Sequence, residues 1–261
     1  MVTQIPTEKE FRKQLSYWFT SNGFRVEDIS EDDNEERADK LIYDQSVRVL
    51  FELKIKGEDK DEVAERESVL NTRGIHRHAE SSLRRNRMSA LIAKGVSQLI
   101  HTPVAADFNI LWLHAAGRYG DHHQMRFIAT LYGRRWLIQV PGSDHRYCYY
   151  FDNSDFFRHR AALTAAIVSW GDECQLCIND LHPGAEKFRQ SSFRALFRDG
   201  SIDPPELEAR GDAFVAPANV IRGDEAAMLK AVAEKYNVAR LLDFDPTMHI
   251  AEARIEDWQQ S

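Results

Sequence analysis

Apolar positions along the chain change their period several times, and each change marks an element. Across residues 6–24, PTEKEFRKQLSYWFTSNGF, the side chains of Phe11, Leu15, Trp18 and Phe19 recur at helical spacing and form one stripe. Thr7 suits the N-cap, Glu10 three residues on completes a capping box, and Asn22-Gly23 is a C-terminal stop. GFRVEDI then predicts a strand, and SEDDNEER an acidic connection. The stretch 37–56, RADKLIYDQSVRVLFELKIK, alternates and predicts two strands joined by a tight turn. After it, GEDKDEVAERESVL (acidic) and RGIHRHAESSLRRNR (basic) read as helix and loop. MSALIAKGVSQLIHT predicts a helix with Leu91, Val96, Leu99 and Ile100 partly facing the core.

Beyond it, DFNILWLHAA reads as a strand, GRYGDHHQ as a turn, and MRFIATLYG and RRWLIQVPG as two more strands. YCYYF is a further candidate strand. DFFRHRAALTAAIVSW reads as a helix capped by Asn153 or Ser154, ECQLCIND as a strand, and GAEKFRQSSFRALF as a helix. Near residue 200 the texture changes. DGSIDPPELEARGD is rich in turn and breaker residues, followed by AFVAPANVI and one helical segment, DEAAMLKAVAEKYN. These patterns predict an α/β fold with a central mixed sheet flanked by helices. A first domain is expected over residues 1–200, and an α+β extension of unassigned role over residues 201–261.

With 43% hydrophobic and 29% charged residues, the chain has the composition of a soluble globular protein with a real core. The formal net charge of -7 excludes a global basic field, so a polyanion has to be met by a local basic patch or a metal. No apolar run approaches the length of a membrane span and no signal peptide is visible, so no membrane partner is expected. Three cysteines, an odd number, argue against a disulfide framework and for a reducing cytoplasm.

The charges inside the second strand of the 37–56 hairpin need an explanation. Val47, Val49, Phe51, Leu53 and Ile55 share one face of it, and Arg48, Leu50, Glu52, Lys54 and Lys56 the other. If Gln45-Ser46 is a two-residue loop, residue 44 faces 47, 43 faces 48, and Asp39 faces Glu52. Two carboxylates opposed in this way repel, and a divalent cation between them turns repulsion into binding. The plainer alternative is that Asp39 ends a strand while Glu52 and Lys54 form a solvent-facing pair on a sheet edge.

Asp39, a gap of thirteen positions, then Glu52-Leu53-Lys54 in an apolar strand resembles the PD-(D/E)xK nuclease superfamily, the restriction-endonuclease-like fold. EKEFRKQLSYWFTSNGFRVEDI resembles the opening helix and strand of its archaeal Holliday-junction resolvase type, and the resemblance spans roughly residues 7 to 115. The proline that names the motif is Ala38 in this chain, a loss common in the superfamily. The resemblance implies a metal-dependent nuclease acting on DNA, with Mg²⁺ or Mn²⁺ held by Asp39, Glu52 and the Leu53 carbonyl. It implies that Lys54 orients and helps deprotonate the attacking water, and that a homodimer is possible. A catalytically inactive nucleic-acid-binding or partner-binding protein of the same fold is the alternative.

The opening helix of that family contributes another carboxylate. Glu8 falls on the stripe of Phe11, Leu15 and Phe19, whereas Glu10 points away, so Glu8 is the better candidate; an ordinary first-turn acid is the competing reading. Lys94 and Gln98 share a face of their helix, where the family places a lysine or glutamine near the metal or substrate backbone, and where a solvated face would look the same. Arg73, Arg77, Arg84, Arg85 and Arg87 form a basic run suited to phosphates, or to pairing with the acidic stretch before it. The CxxC of Cys174 and Cys177 has no second pair, and its sulfurs should leave a strand on opposite faces, so zinc is not expected. His122 and His123 are expected in an exposed turn, and no phosphate-binding glycine loop is present.

Overall fold

Asp44 sets the register of the 37–56 hairpin. Its Oδ1 accepts the amides of Ser46 at 2.7 Å and Val47 at 2.8 Å, closing the turn on itself as an Asx side chain does. The strands on either side are then locked as Lys40↔Phe51, Leu41↔Leu50, Ile42↔Val49 and Tyr43↔Arg48. In a computed structural model that describes residues 8–30, 36–58, 60–72, 74–80, 86–117, 119–142, 144–197, 200–244 and 249–253, this hairpin lies inside a larger sheet.

The elements follow in chain order. They begin with α1 (Glu8–Ser21), β1 (Arg25–Asp28), β2 (Lys40–Tyr43), β3 (Arg48–Lys56), α2 (Lys60–Asn71), β4 (His76–Glu80), α3 (Asn86–His101) and β5 (Phe108–Ala115). Next come α4 (Gly120–Tyr132), β6 (Arg135–Val140), β7 (His145–Tyr149), α5 (Asp155–Arg158), β8 (Ala165–Trp170) and β9 (Glu173–Ile178). The last are α6 (Ala185–Arg189), α7 (Ser192–Ala195), β10 (Ser201–Ile202), α8 (Pro204–Ala209), β11 (Ala213–Val215), α9 (Glu225–Lys235), β12 (Arg240–Phe244) and β13 (His249–Ala253).

The protein is α/β. A mixed seven-stranded sheet runs β1-β2-β3-β5-β8-β9-β10, with β3, β5 and β8 parallel at its centre. A four-stranded sheet, β11-β7-β6-β12, and a β4-β13 pair complete the architecture. The segment after residue 200 is woven into both larger sheets, giving β10 to the first and β11 and β12 to the second.

Both faces of the central sheet are covered. On one, Phe11, Leu15 and Phe19 of α1 pack with Phe51, Leu53, Ile110, Trp112 and the phenylalanines of the α6–α7 region. On the other, Met88, Ile92, Val96 and Leu99 of α3 pack with Leu50, Leu111 and Leu113, and that core continues into α4, α9 and the four-stranded sheet. The single glycine of α3 permits a close crossing: a Cβ at Gly95 would stand 2.5 Å from Leu111 Cδ1.

Several local expectations are corrected: residues 76–80, read within a helix and loop, form β4 and pair with β13, and Ile100, read as partly facing the core, is exposed. Residues 120–132 form α4 and not a turn followed by a strand, ending at Gly133 with φ of 60°. A helix buried almost all round shows no amphipathic stripe, and most of its polar residues, His122 and His123 among them, are buried and not exposed. Residues 155–170 divide into the one-turn α5 and strand β8, because a central strand buried on both faces reads as a continuous apolar run. The helix read over 184–197 is two short ones, the second capped by Ser191 Oγ on the Arg194 amide. Ser154 caps α5 as expected, accepting from the Phe157 amide. Thr7 lies outside the described residues, as does any capping box it would make.

Phe19 is fully buried, and its ring meets those of Trp18, Phe24, Phe51, Trp112 and Phe193. Phe19→Ala is expected to destabilise the fold by about 3–5 kcal/mol in urea unfolding. A loss below about 1 kcal/mol would show that α1 does not close this face of the sheet.

Candidate functional site

Strand β2 stops at Lys40 while its partner β3 runs on to Lys56. Continuing the register by one position sets Asp39 opposite Glu52. The chain reaches this point from Ala38, whose amide donates to Thr102 Oγ1 at 2.7 Å, and that hydroxyl in turn donates to the Gln98 carbonyl at 2.7 Å. The end of α3 therefore holds the chain where it joins the sheet. A proline at position 38 would have no amide to give, which is a local reason for alanine there.

The edge of β3 left open beyond β2 is closed by Asp39 itself. Leu53 N donates to Asp39 Oδ2 at 2.8 Å, and the Asp39 amide donates to Glu52 Oε2 at 3.1 Å. The other oxygen of each carboxylate faces a side-chain cation: Asp39 Oδ1 meets Arg12 Nη1 at 2.5 Å, and Glu52 Oε1 meets Lys54 Nζ at 2.5 Å. Lys54 Nζ also donates to Gln98 Oε1, and Gln98 Nε2 donates to the Arg37 carbonyl at 3.1 Å. Asp39, Glu52, Lys54 and Gln98 are thus brought into one hydrogen-bonded cluster. A residue's N–H and C=O point to the same neighbouring strand, so the Leu53 carbonyl is directed at this edge too.

Glu52 is fully buried. Burial, reinforced by the Asp39 charge, pushes its carboxyl up to about 7, against the opposing pull of Lys54 and Arg12. Outside this core, Lys94 pairs with Glu36 at 2.8 Å on the surface, and the Lys94 hydrogen bond holds the Glu36 carboxyl below its ordinary value. Lys54 adds to that field. The pairing puts Glu36 and Lys94 beside the cluster.

Other predicted residues fall elsewhere or beyond description. Arg87 is exposed in the first turn of α3. Arg73, Arg84 and Arg85 lie outside the described residues, as do the side chains of Arg77 and Glu8; Glu10 is exposed. Cys174 and Cys177 pack on opposite faces of the central sheet, and all three cysteines are free. Among the described residues no group of three or more His, Cys, Asp or Glu side chains is assembled to hold a metal. None of their helices is long and apolar enough to cross a membrane.

Arg12, Thr102 and Glu36 are members of the neighbourhood that pattern reading missed. For Arg12 a signal was present: it lies one helical turn after Glu8, on the face considered for an extra carboxylate. Thr102 and Glu36 sit in a helix end and an acidic connection, where nothing in the sequence separates them from ordinary polar residues. No protein-family model, curated protein or solved structure matches the chain.

Two outcomes follow from this geometry. Ala38→Pro removes the donor to Thr102 and is expected to cost about 1–3 kcal/mol in urea unfolding, whereas an unchanged midpoint would mean that the bond holds nothing in place. The second concerns pH. Because the native value of Glu52 is raised above 4.5, the folded protein binds this proton more tightly than the unfolded chain does. Stability therefore falls as pH rises from 4.5 to about 7, and levels off above that. Measured against Glu52→Gln, wild type should lose of order 1–3 kcal/mol across that window. A difference independent of pH would mean that Glu52 ionises normally.

Proposed function

We propose that the protein is a metal-dependent phosphodiesterase acting on DNA, with its active site at the end of the β2–β3 hairpin. The observation that carries this reading is the division of labour at the two carboxylates. One oxygen of each is fixed by a backbone amide, and the other faces a side-chain cation. The amides fix the orientation of the carboxylates, while the cation-held oxygens are the ones an incoming divalent ion can take over. Mg²⁺ binds through one or two carboxylates together with waters and substrate phosphates, so this donor set with the Leu53 carbonyl suits it, as it suits Mn²⁺.

The bound ion supplies a water of lowered pKa and neutralises charge at phosphorus. Asp39, Glu52 and the Leu53 carbonyl hold it. Lys54, steadied by Gln98 from α3, presents its amine to the attacking water and to a phosphate oxygen. Arg12, no longer needed by Asp39 alone, offers a guanidinium to the phosphate, the group its planar fork fits. Arg87 in the first turn of α3, together with Lys94, contributes phosphate contacts.

A second reading rests on the same cluster. Arg12 and Lys54 already give each of the two carboxylates a counter-charge without metal, as a nucleic-acid-binding module without catalysis would require.

Cleavage of plasmid, linear duplex, single-stranded DNA and RNA, each with Mg²⁺, Mn²⁺ or EDTA, separates the readings. Metal-dependent cleavage of DNA is expected. Lys54→Ala should lower it by at least about a hundredfold while calorimetry still detects Mn²⁺; Asp39→Ala should abolish both. Activity surviving in both variants places the chemistry elsewhere. Binding of nucleic acid with no metal bound and no cleavage leaves the module reading.

A further inference from the structure

A cavity of about 620 Å³ opens beside α5, between the end of β7, the turn after β9 and the segment that follows β11. Its volume is that of small-molecule sites in general. It is a different place from the hairpin cluster. Arg158 on its wall donates to Ser89 Oγ in the first turn of α3, and nine residues of helix, roughly 13 Å, separate Ser89 from Gln98.

Three features of its lining point to one kind of ligand. The first is cationic. Arg222 donates Nη1 to the carbonyls of Pro217 and Val220, and Arg160 donates to the carbonyl of Phe157. Among the described residues neither guanidinium is paired with a carboxylate. Arg222 is also half-buried, and burial lowers its pKa, so an anion beside it would relieve a charge held away from water. The carboxylates of the same cavity are already engaged: Asp152 with Arg135 at 2.6 Å, and Asp180 with the Tyr150 hydroxyl.

The second feature is aromatic. Phe157 lines the cavity with 56% of its surface exposed, an unusual position for a phenylalanine ring, and the Arg160 guanidinium lies 4.5 Å from its centroid. Val215, Ala216 and Val220 add aliphatic surface to the same lining. A flat ring stacked on Phe157 would bury one of its faces there. The third is the polar floor. Tyr150, in the left-handed region at φ of 60°, sends its hydroxyl to Asp180. Such a backbone is rare for an aromatic residue and holds that hydrogen-bonding pair in the cavity wall.

We propose that this cavity is a nucleotide-binding site, with the base stacked on Phe157 and the phosphate taken by Arg222 and Arg160. The proposal does not rest on the nuclease reading. The nucleotide is either free or one residue of a single strand, and the chemistry of recognition is the same. Asn153 supplies an acceptor for the amino or hydroxyl groups that such a ligand carries.

The test is calorimetric titration of the full chain, in EDTA so that nothing is cleaved. The probes are the four 5′-mononucleotides, adenosine, inorganic phosphate and a short single-stranded oligodeoxynucleotide. At least one mononucleotide is expected to bind with Kd below about 1 mM, with adenosine and phosphate each at least about tenfold weaker. Phe157→Ala and Arg222→Ala should each weaken it by at least about tenfold, and Phe157→Tyr should retain it. Binding of the oligonucleotide alone, with the same sensitivity to both variants, assigns the site to a nucleotide within a strand. Absence of binding by every nucleotide probe, phosphate as tight as the nucleotides, or affinity indifferent to Phe157→Ala would overturn the proposal. Phe157 is exposed, so its substitution keeps the test decisive even if Arg222→Ala melts early.

Discussion

The early end of β2 is the constraint from which the candidate site follows. A sheet edge that loses its partner strand exposes amides and carbonyls, and a buried edge of that kind has to be satisfied from somewhere. In this protein the solution is a side chain. Asp39 leaves the strand direction and returns its carboxylate to the Leu53 amide, while its own amide is claimed by the Glu52 carboxylate as well as by the Phe51 carbonyl. The two acids are therefore set at the end of the hairpin by backbone bonding, before any ligand is considered. Their closeness is a consequence of where the sheet stops.

That arrangement creates an electrostatic problem, which one cation from the strand and one from a helix answer. A fully buried glutamate beside a second carboxylate is costly unless paired and hydrogen-bonded. Lys54 answers it along β3 itself, two positions from Glu52, and Arg12 answers it from α1 across the sheet edge. Gln98 then fixes the amine of Lys54 from α3, which can lie this close because position 95 has no side chain to meet Leu111. Thr102, one turn after Gln98, ties the incoming chain to the same helix. Apolar packing on both faces of the sheet sets where α1 and α3 lie, so the charged cluster is positioned by the core and is not an independent feature of the surface.

How much of this was legible in the sequence depended on the period of each segment. The hairpin register could be counted because Asp44 closes a two-residue loop and every later pairing follows from it. The α1 stripe was legible because only one face of that helix is buried. By contrast α4 was read as a turn and a strand: its histidines, Gln124 and Arg126 are buried, and a helix with no solvated side leaves no periodic signature. For β8 the same physics acts in reverse, since a central strand buried on both faces shows no alternation. Arg12 was missed because attention on α1 went to carboxylates, whereas the element's described contribution to the cluster is a counter-charge. The pairing of 201–202 with β9, and of 213–215 with β7, is non-local and leaves no mark in a composition that merely turns breaker-rich.

A site whose cations are internal differs in its energetics from one that waits with bare carboxylates. Bare paired acids would repel, and the fold would gain from metal simply by losing that repulsion. With Arg12 and Lys54 in place part of the repulsion is offset already, so an incoming divalent ion would have to win by exchanging two side-chain contacts for its own. The displaced groups are not wasted in that exchange. An amine and a guanidinium displaced by a metal would each have lost a carboxylate contact in a partly buried setting, which would favour the arrival of a polyanion. Metal and phosphodiester would then bind with positive coupling: each removes a charge that the other leaves unbalanced. Such coupling would keep the cluster quiescent when only one of the two is present, and it arises from the same backbone geometry that ends β2 at Lys40 and hands the open edge to Asp39.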